Sequence, residues 1–452
     1  DANWGDIERE SGLTRAQLEQ AAQVYLDSNA TILCWGMGIT QHRRSVATIQ
    51  MLTNLLLMRG NIGKPGAGPC PVRGHSNVQG DRTMGIYEKP SPGFLESLGA
   101  EFGFEPPQAH GFDTIAAIEA MRDGHGKVFF AMGGNFAAAT PDTDAVHAAL
   151  RKCALTVQVS TKLNRSHVVH GREALMLPCL GRTEIDVQIG GPQAVTVEDS
   201  MSMVHLSSGI NAPASQQLLS EPAIVARLAA ATLPQSTIPW LSLIEDYDRI
   251  RERIAKVIPG FEEFNARVRH PGGFHLHHPA RDRVFPTTLG KARFFAHPLV
   301  DRTSVGGASA PSEQLQDCPE IIAAYPSGLK PVLQLMTIRS HDQYNTTVYG
   351  SNDRYRGVHG LRRVCFISRY DLDALGFHDG DSVDLVSVWD DGERVARDFR
   401  LAEYDIPAGC LASYFPETNA LVPLGNHAER ARTPASKSIP VHLRRSAGAH
   451  TP

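Results

Sequence analysis

No two cysteines in the 452-residue chain fall in a CxxC spacing, although seven are present at Cys34, Cys70, Cys153, Cys179, Cys318, Cys365 and Cys410. Without such pairs the chain's own residues supply neither a structural zinc motif nor an iron–sulfur ligand set. An odd, dispersed set of thiols instead fits core residues in a reducing setting, and a cytoplasmic location is expected. HExxH, P-loop and Ser–His–Asp patterns are missing, as is a full GxGxxG fingerprint with a following acidic residue, so a nicotinamide site is not expected. His275, His277 and His278 lie between Gly272-Gly273 and Pro279 without acidic or cysteine partners. They read as a loop cluster, and no residue is assigned as a metal ligand. The net charge of −4 leaves no basic footprint for nucleic acid or an anionic membrane. No apolar run approaches the roughly 20 residues that span a bilayer. The apolar run over residues 49–58 is too short for that and reads as a buried helix.

Glycine and proline are plentiful, and they concentrate in one place. Residues 60–86 hold seven glycines and three prolines, which exclude a regular helix or a central strand and predict a long pinned loop. Its side-chain chemistry gathers at Arg73, His75, Ser76, Asn77, Gln79, Asp81 and Arg82. Backbone N–H groups and guanidinium forks of this kind suit a polyanionic ligand. Cys70, between Pro69 and Pro71 and with no visible base, reads as packing.

A chain 42% hydrophobic and 20% charged is ordinary for a globular protein, and its length leaves room for two to four domains. Thr14 and Gln17 form a capping-box pattern for a helix to about Asp27. An apolar strand over 31–35 runs into Gly36-Met37-Gly38, and a helix follows over 44–59 with Gly60 as its stop. The same order recurs at 127–132, then Gly133-Gly134-Asn135, then a helix over 141–151 with Pro141 at its first position. A further strand over 155–159 leads into Ser160-Thr161-Lys162. This alternation predicts parallel sheets with ligands at the carboxyl ends of the strands. Two helices are expected over 221–257, the second spanning 240–254, and a long surface loop over 301–330. Strands over 332–338, 364–368, 382–389 and 395–401 predict a mostly β C-terminal domain.

Taken in order, these segments resemble the molybdopterin oxidoreductase family, in its formate-dehydrogenase-like branch. The residues that carry the resemblance are Trp35-Gly36-Met37-Gly38-Ile39-Thr40-Gln41-His42, Gly60-Asn61-Ile62-Gly63, Val72-Arg73-Gly74, Asn77-Val78-Gln79-Gly80, Met132-Gly133-Gly134-Asn135 and Pro141-Asp142. Further along they are Gly290-Lys291-Ala292, the polar cluster over 337–347, Leu375-Gly376, Asp379-Gly380-Asp381 and the segment over 415–421. The resemblance implies an α/β fold of Rossmann-like parallel-sheet domains, followed by a mostly β, double-psi-type barrel. Residues 1–285 would be the C-terminal part of the α/β domains, and 286–452 the dinucleotide-binding barrel.

The implied cofactor is molybdenum, or tungsten, held by two molybdopterin guanine dinucleotides. Gly36, Met37, Gly38, Gly133, Asn135, Thr161 and Lys162 would lie along one of them. Arg339, His341, Thr346, Thr347, Asn419 and Lys437 would lie on the barrel side. Arg73 would orient a substrate carboxylate, with His75, Asn77 and Gln79 lining the cofactor or substrate pocket, for a two-electron oxidation of formate or another small substrate. An electron-acceptor protein is the implied partner. His75-Ser76-Asn77 stands where formate dehydrogenases read Gln-Asn-Asn, and Asp81-Arg82-Thr83 where they read Ala-Cys-Asp. These departures place the chain in a divergent subgroup and leave the substrate open. The family's metal-binding residue, neighbouring histidine and [4Fe–4S] cysteines precede the matched region. The chain is therefore expected to be the C-terminal part of a longer enzyme and inactive alone. A non-catalytic cofactor-binding or accessory protein that retains the fold is the alternative.

Overall fold

The computed structural model describes residues 2–299 and 332–447. The loop expected over 301–330 lies outside the described residues. The capping box at Thr14 is present: Thr14 Oγ1 accepts from the Gln17 N–H at 3.3 Å, and the Thr14 N–H donates to Gln17 Oε1 at 2.9 Å. It starts a helix over Arg15–Asp27. Strand β1 (Ile32–Trp35) pairs in parallel with β2 (Gly68–Pro71). The glycine- and proline-rich run is thus not loop throughout, since it contains β2 and a short helix, Val78–Thr83. The ladder explains why prolines are tolerated. The Gly68 N–H donates to the Thr31 carbonyl at 3.0 Å and the Val72 N–H to the Trp35 carbonyl at 2.8 Å, so Pro69 and Pro71 fall on alternate positions that owe the ladder no donor.

The helix after β1 spans Ser45–Met58 and is only partly buried. Leu56 is enclosed, whereas Met51, Leu55 and Met58 face outward. The expectation of a fully buried helix therefore fails on one face. Asn54 binds the Phe295 backbone through both amide atoms, at 2.7 and 3.3 Å, and His297 meets Gln50 at 2.8 Å. Phe295 and His297 thus pack against this helix.

A second sheet holds β3 (Val128–Met132), β4 (Leu155–Ser160) and β5 (Glu173–Pro178), all parallel with β4 central. Helices Thr114–Arg122 and Thr143–Lys152 cover one face, burying Ile115, Ile118, Met121, Val146, Ala149 and Leu150 with Phe129 packed against them. Pro141 is not the first residue of the second helix. Asp142 precedes that helix in a left-handed conformation (φ 53°), with its N–H on the Asn419 carbonyl and its carboxylate on Arg394 at 2.5 Å. Helix Glu221–Thr232 is as expected. The next splits into Trp240–Glu245 and Asp248–Val257 because Tyr247 is drawn aside, its N–H onto Gln193 Oε1 at 2.8 Å and its hydroxyl onto Ser220 at 2.7 Å. A small antiparallel sheet of Val195–Glu198, Met203–Ser207 and Phe274–His275 packs beside them.

The C-terminal strands close into a barrel in the order Leu333–Ile338, Cys410–Tyr414, Val364–Ile367, Gly392–Glu403, Ser382–Trp389, Ile439–Arg445. The first and second strands, and the third and fourth, pair in parallel; the other pairs are antiparallel. Leu335, Ile367, Leu385, Phe399, Leu411 and Ile439 fill the interior. Closure depends on Cys410–Tyr414 and Ile439–Arg445, two strands that the sequence pattern did not single out.

Candidate functional site

A cleft of ≈ 1070 Å³ opens at the carboxyl ends of β3, β4 and β5, where an open parallel sheet places its ligands. Its volume exceeds the roughly 300–1,000 Å³ of an ordinary small-molecule pocket. Gly133, Gly134 and Asn135 follow β3, Thr161 and Lys162 follow β4, and Arg182 follows β5; all line the cleft. Gly133 and Gly134 take φ of 67° and 73°, and a Cβ on either would meet nothing within 4 Å. Bare backbone therefore faces open space where a large ligand can come close. From the opposite side the loop joined to the barrel contributes Tyr344, Asn345, Thr346 and Thr347. The Asn135 amide donates to Thr346 Oγ1 at 3.3 Å across the cleft. Of the residues assigned by resemblance, the cleft brings together His75, Asn77, Gly133, Asn135, Thr161, Lys162, Thr346 and Thr347.

The loop after β2 is held in place from behind. Arg73 donates through Nη2 to Gln79 Oε1 at 2.7 Å, and its N–H is held by Ser200 Oγ at 3.1 Å, which leaves the guanidinium exposed. His75 stacks edge-on with Tyr344, ring centres 5.1 Å apart, and its Nδ1 lies 2.7 Å from the Tyr344 hydroxyl. Asn77 Oδ1 accepts the Glu198 N–H at 3.0 Å, and Thr83 Oγ1 donates to Glu198 Oε2 at 2.5 Å. Glu198 is 5% exposed, and burial pushes its carboxyl above the usual range, partly offset by the Thr83 and Ser202 hydroxyls. Arg182 Nη1 reaches Ser76 Oγ at 2.6 Å. Sequence reading missed Glu198, Ser200 and Arg182. Each sits over 100 positions from the loop it braces, so no local spacing could reveal it.

Arg73, Gln79 and the remaining assigned residues lie outside the cleft lining. Gly36 caps a helical turn over Met37–Thr40, with Met37 and Gly38 exposed. This turn abuts the barrel, where the Lys437 N–H donates to the Gln41 carbonyl at 3.1 Å. Lys437 Nζ donates to the Thr337 carbonyl and, at 3.3 Å, to Thr337 Oγ1. Burial, and then Arg339, lower the Lys437 ammonium to about 8. Burial, and then Arg362, lower the Arg339 guanidinium to about 10, and it stacks 3.5 Å over Phe415. Among the described residues no carboxylate pairs with Arg339 or Lys437. Both cations are half-buried, and a bound anion would offset the cost of their desolvation. His341 pairs with Asp342 at 3.0 Å and packs on Tyr355. Asn419 is 2% exposed and donates to the Ala138 carbonyl at 2.8 Å, bracing the barrel against the α/β region. Among the described residues, no group of three or more His, Cys, Asp or Glu is placed to hold a metal ion.

Comparison with known proteins gives this arrangement a context. Residues 16–167 match the model of the family described as Molybdopterin oxidoreductase. An uncharacterized oxidoreductase of Mycobacterium bovis is 54% identical over 440 residues, covering 96% of this chain and 53% of that protein. Protein YdeP of Escherichia coli is 48% identical over 445 residues, covering 98% of this chain and 56% of its own length. Formate dehydrogenase H of Escherichia coli is 35% identical over 130 residues, 27% of this chain and 18% of that enzyme. The chain spans about half the length of the curated relatives that it matches from end to end.

Proposed function

We propose, from the premise that this chain is a divergent member of the molybdopterin oxidoreductase family carrying that family's domain at residues 16–167, that it forms one wall of a bis-molybdopterin guanine dinucleotide site. The site would belong to a longer oxidoreductase acting on formate or another small substrate. The observation that carries this reading is the large cleft at the carboxyl ends of β3, β4 and β5, floored by the open Gly133–Gly134 backbone and bordered by Thr161 and Lys162. The donor set fits the group. The Gly133 N–H is held by the Val159 carbonyl at 2.7 Å, and the open faces of Gly133 and Gly134 leave room for a pyrophosphate to approach the backbone, while Lys162, Arg339 and Lys437 offer positive charge to phosphate or pterin oxygens. When bound, the cofactor supplies a molybdenum or tungsten centre that accepts two electrons.

Gly36, Met37, Gly38, Gly133, Asn135, Thr161 and Lys162 hold one dinucleotide in this reading. Arg339, His341, Thr346, Thr347, Asn419 and Lys437 serve the barrel side, with 1–285 and 286–452 as the two domain regions and the barrel of double-psi type. Arg73 presents its fork to a substrate carboxylate, and Gln79 keeps one end of that fork fixed. His75 borders the pocket in this reading, held between the Tyr344 hydroxyl at Nδ1, 2.7 Å away, and the Asn345 amide at Nε2, 3.5 Å away. An electron-acceptor protein, a [4Fe–4S] cluster upstream and a cytoplasmic setting complete the proposal.

The test is the pterin content of the longer protein carrying Gly133→Val. Valine at a left-handed position both strains the loop and fills the approach. The variant is expected to purify with little pterin while the unmodified protein carries it. Equal pterin in both would contradict the assignment, and cofactor retained without turnover on any small acid would favour the non-catalytic alternative.

A further inference from the structure

Away from the cleft, two thiols stand side by side on the short parallel ladder. Cys34 of β1 and Cys70 of β2 are partners in register. Neighbouring strands run about 4.8 Å apart, inside the roughly 4.4–6.8 Å separation of α-carbons that a disulfide bridges. In-register residues of a parallel pair project to the same face of the sheet. Cys34 is exposed and Cys70 half-buried, and burial, then the neighbouring Cys34 thiol, raises the Cys70 thiol. Of the other described cysteines, Cys153, Cys179 and Cys365 are enclosed in cores, and Cys410 is half-buried on a barrel strand. The position of the pair gives it consequence. Cys34 stands two residues before Gly36 and Cys70 three before Arg73, at the roots of the two loops that meet the barrel and the cleft.

We propose that Cys34 and Cys70 form a reversible disulfide by exchange with a small-molecule disulfide such as oxidised glutathione, clamping the roots of the Gly36 and Arg73 loops together. This rests on the β1–β2 register and is independent of what the cleft binds. The Cys34 thiolate, the more accessible of the two, attacks one sulfur of the glutathione disulfide. A Cys34–glutathione bond forms and one glutathione thiolate leaves. The Cys70 thiolate then attacks Cys34 sulfur, forming the Cys34–Cys70 bond and expelling the second glutathione thiolate. Two cysteine thiols are oxidised, one glutathione disulfide is reduced to two thiols, and the two cysteine protons end on those thiols.

The experiment uses the full chain, fully reduced, then incubated with oxidised glutathione, blocked with an alkylating agent, digested and analysed by mass spectrometry. The expected result is a Cys34–Cys70 cross-linked peptide, an intact mass, taken before alkylation, lower by ~2 Da with no retained glutathione, and a yield independent of protein concentration. Cys70→Ser should accumulate a glutathione adduct on Cys34, since the resolving thiol is gone. Limited proteolysis within residues 60–86 should slow several-fold in the oxidised form and recover on reduction. Stable glutathione adducts on both cysteines of the unmodified chain, or both thiols alkylated after exposure to oxidised glutathione, would overturn the proposal. Unchanged proteolysis of the cross-linked chain would overturn the clamp.

Discussion

Arg73 and Lys437 carry positive charge into different surroundings, and their substitutions should differ accordingly. The Arg73 guanidinium is exposed, with one nitrogen on Gln79. In the longer protein, Arg73→Lys keeps the charge but loses the planar fork. A charge-assisted hydrogen bond is worth about 1.5–3 kcal/mol, so kcat/KM on a small carboxylate should fall about 10- to 100-fold with cofactor content unchanged. Steady-state kinetics beside pterin analysis checks this, and full activity would remove Arg73 from substrate binding. Lys437 is half-buried, with its ammonium lowered to about 8, against ~10.4 for an unfolded lysine. Between those values the unfolded state holds the proton that the folded state has released, so stability of the anion-free chain rises with pH across that window. Below it the full penalty, on the order of 3 kcal/mol, opposes folding. Lys437→Met should flatten the rise in urea-unfolding midpoint from pH 8 to 10, and an unchanged slope would contradict the assignment. At this scale the sequence named the polar residues of the 73–82 loop and the 337–347 cluster. It could not name Glu198 or Arg182, which reach the loop only through the fold.

The short helix Val78–Thr83 depends on a close approach that glycine alone permits. A Cβ on Gly80 would lie 2.1 Å from Asn77 Oδ1, the atom that accepts the Glu198 N–H. Gly80→Ala must push the Asn77 amide off its partner, and overpacking of this kind costs about 1–3 kcal/mol. Urea unfolding is the measurement, and a change below about 0.5 kcal/mol would show that the amide moves freely. Where the sequence read elements well, a local signal matched the structure, as with the Thr14 capping box and the strand over Ser382–Trp389. It failed where a distant contact decides the backbone. Asp142 is turned left-handed by Arg394 and Asn419, and Tyr247 splits its helix by binding Gln193 and Ser220. In β2 the prolines argued against a central strand, and in this two-stranded ladder the alternation of donors accommodates them.

For the molecule as a whole, the contact between barrel and α/β region is the feature that composition and periodicity left unreadable. Arg394 and Asp142 pair across it with side chains 14% and 8% exposed. Removing one partner of a buried pair typically costs about 3–5 kcal/mol. Asp142→Ala should sit near the lower end, since Asp391 still pairs with Arg394 at 2.7 Å. Thermal unfolding followed by calorimetry would register the loss, and an unshifted transition would make the contact dispensable. The parallel sheets and the β-rich C-terminal region were legible from alternating strand, glycine loop and helix. The barrel's closure was not, because Ile439–Arg445 carries a proline and Cys410–Tyr414 runs directly into a polar segment. The central claim is that the cleft and the barrel-side cations together hold a two-pterin guanine dinucleotide cofactor. The most direct measurement is the ratio of guanosine monophosphate, released by acid hydrolysis, to molybdenum or tungsten in the longer protein purified from a host that makes the cofactor. About two guanylates per metal ion, the ratio set by one metal held between two dinucleotides, is the predicted result, and protein free of metal and guanylate would contradict it.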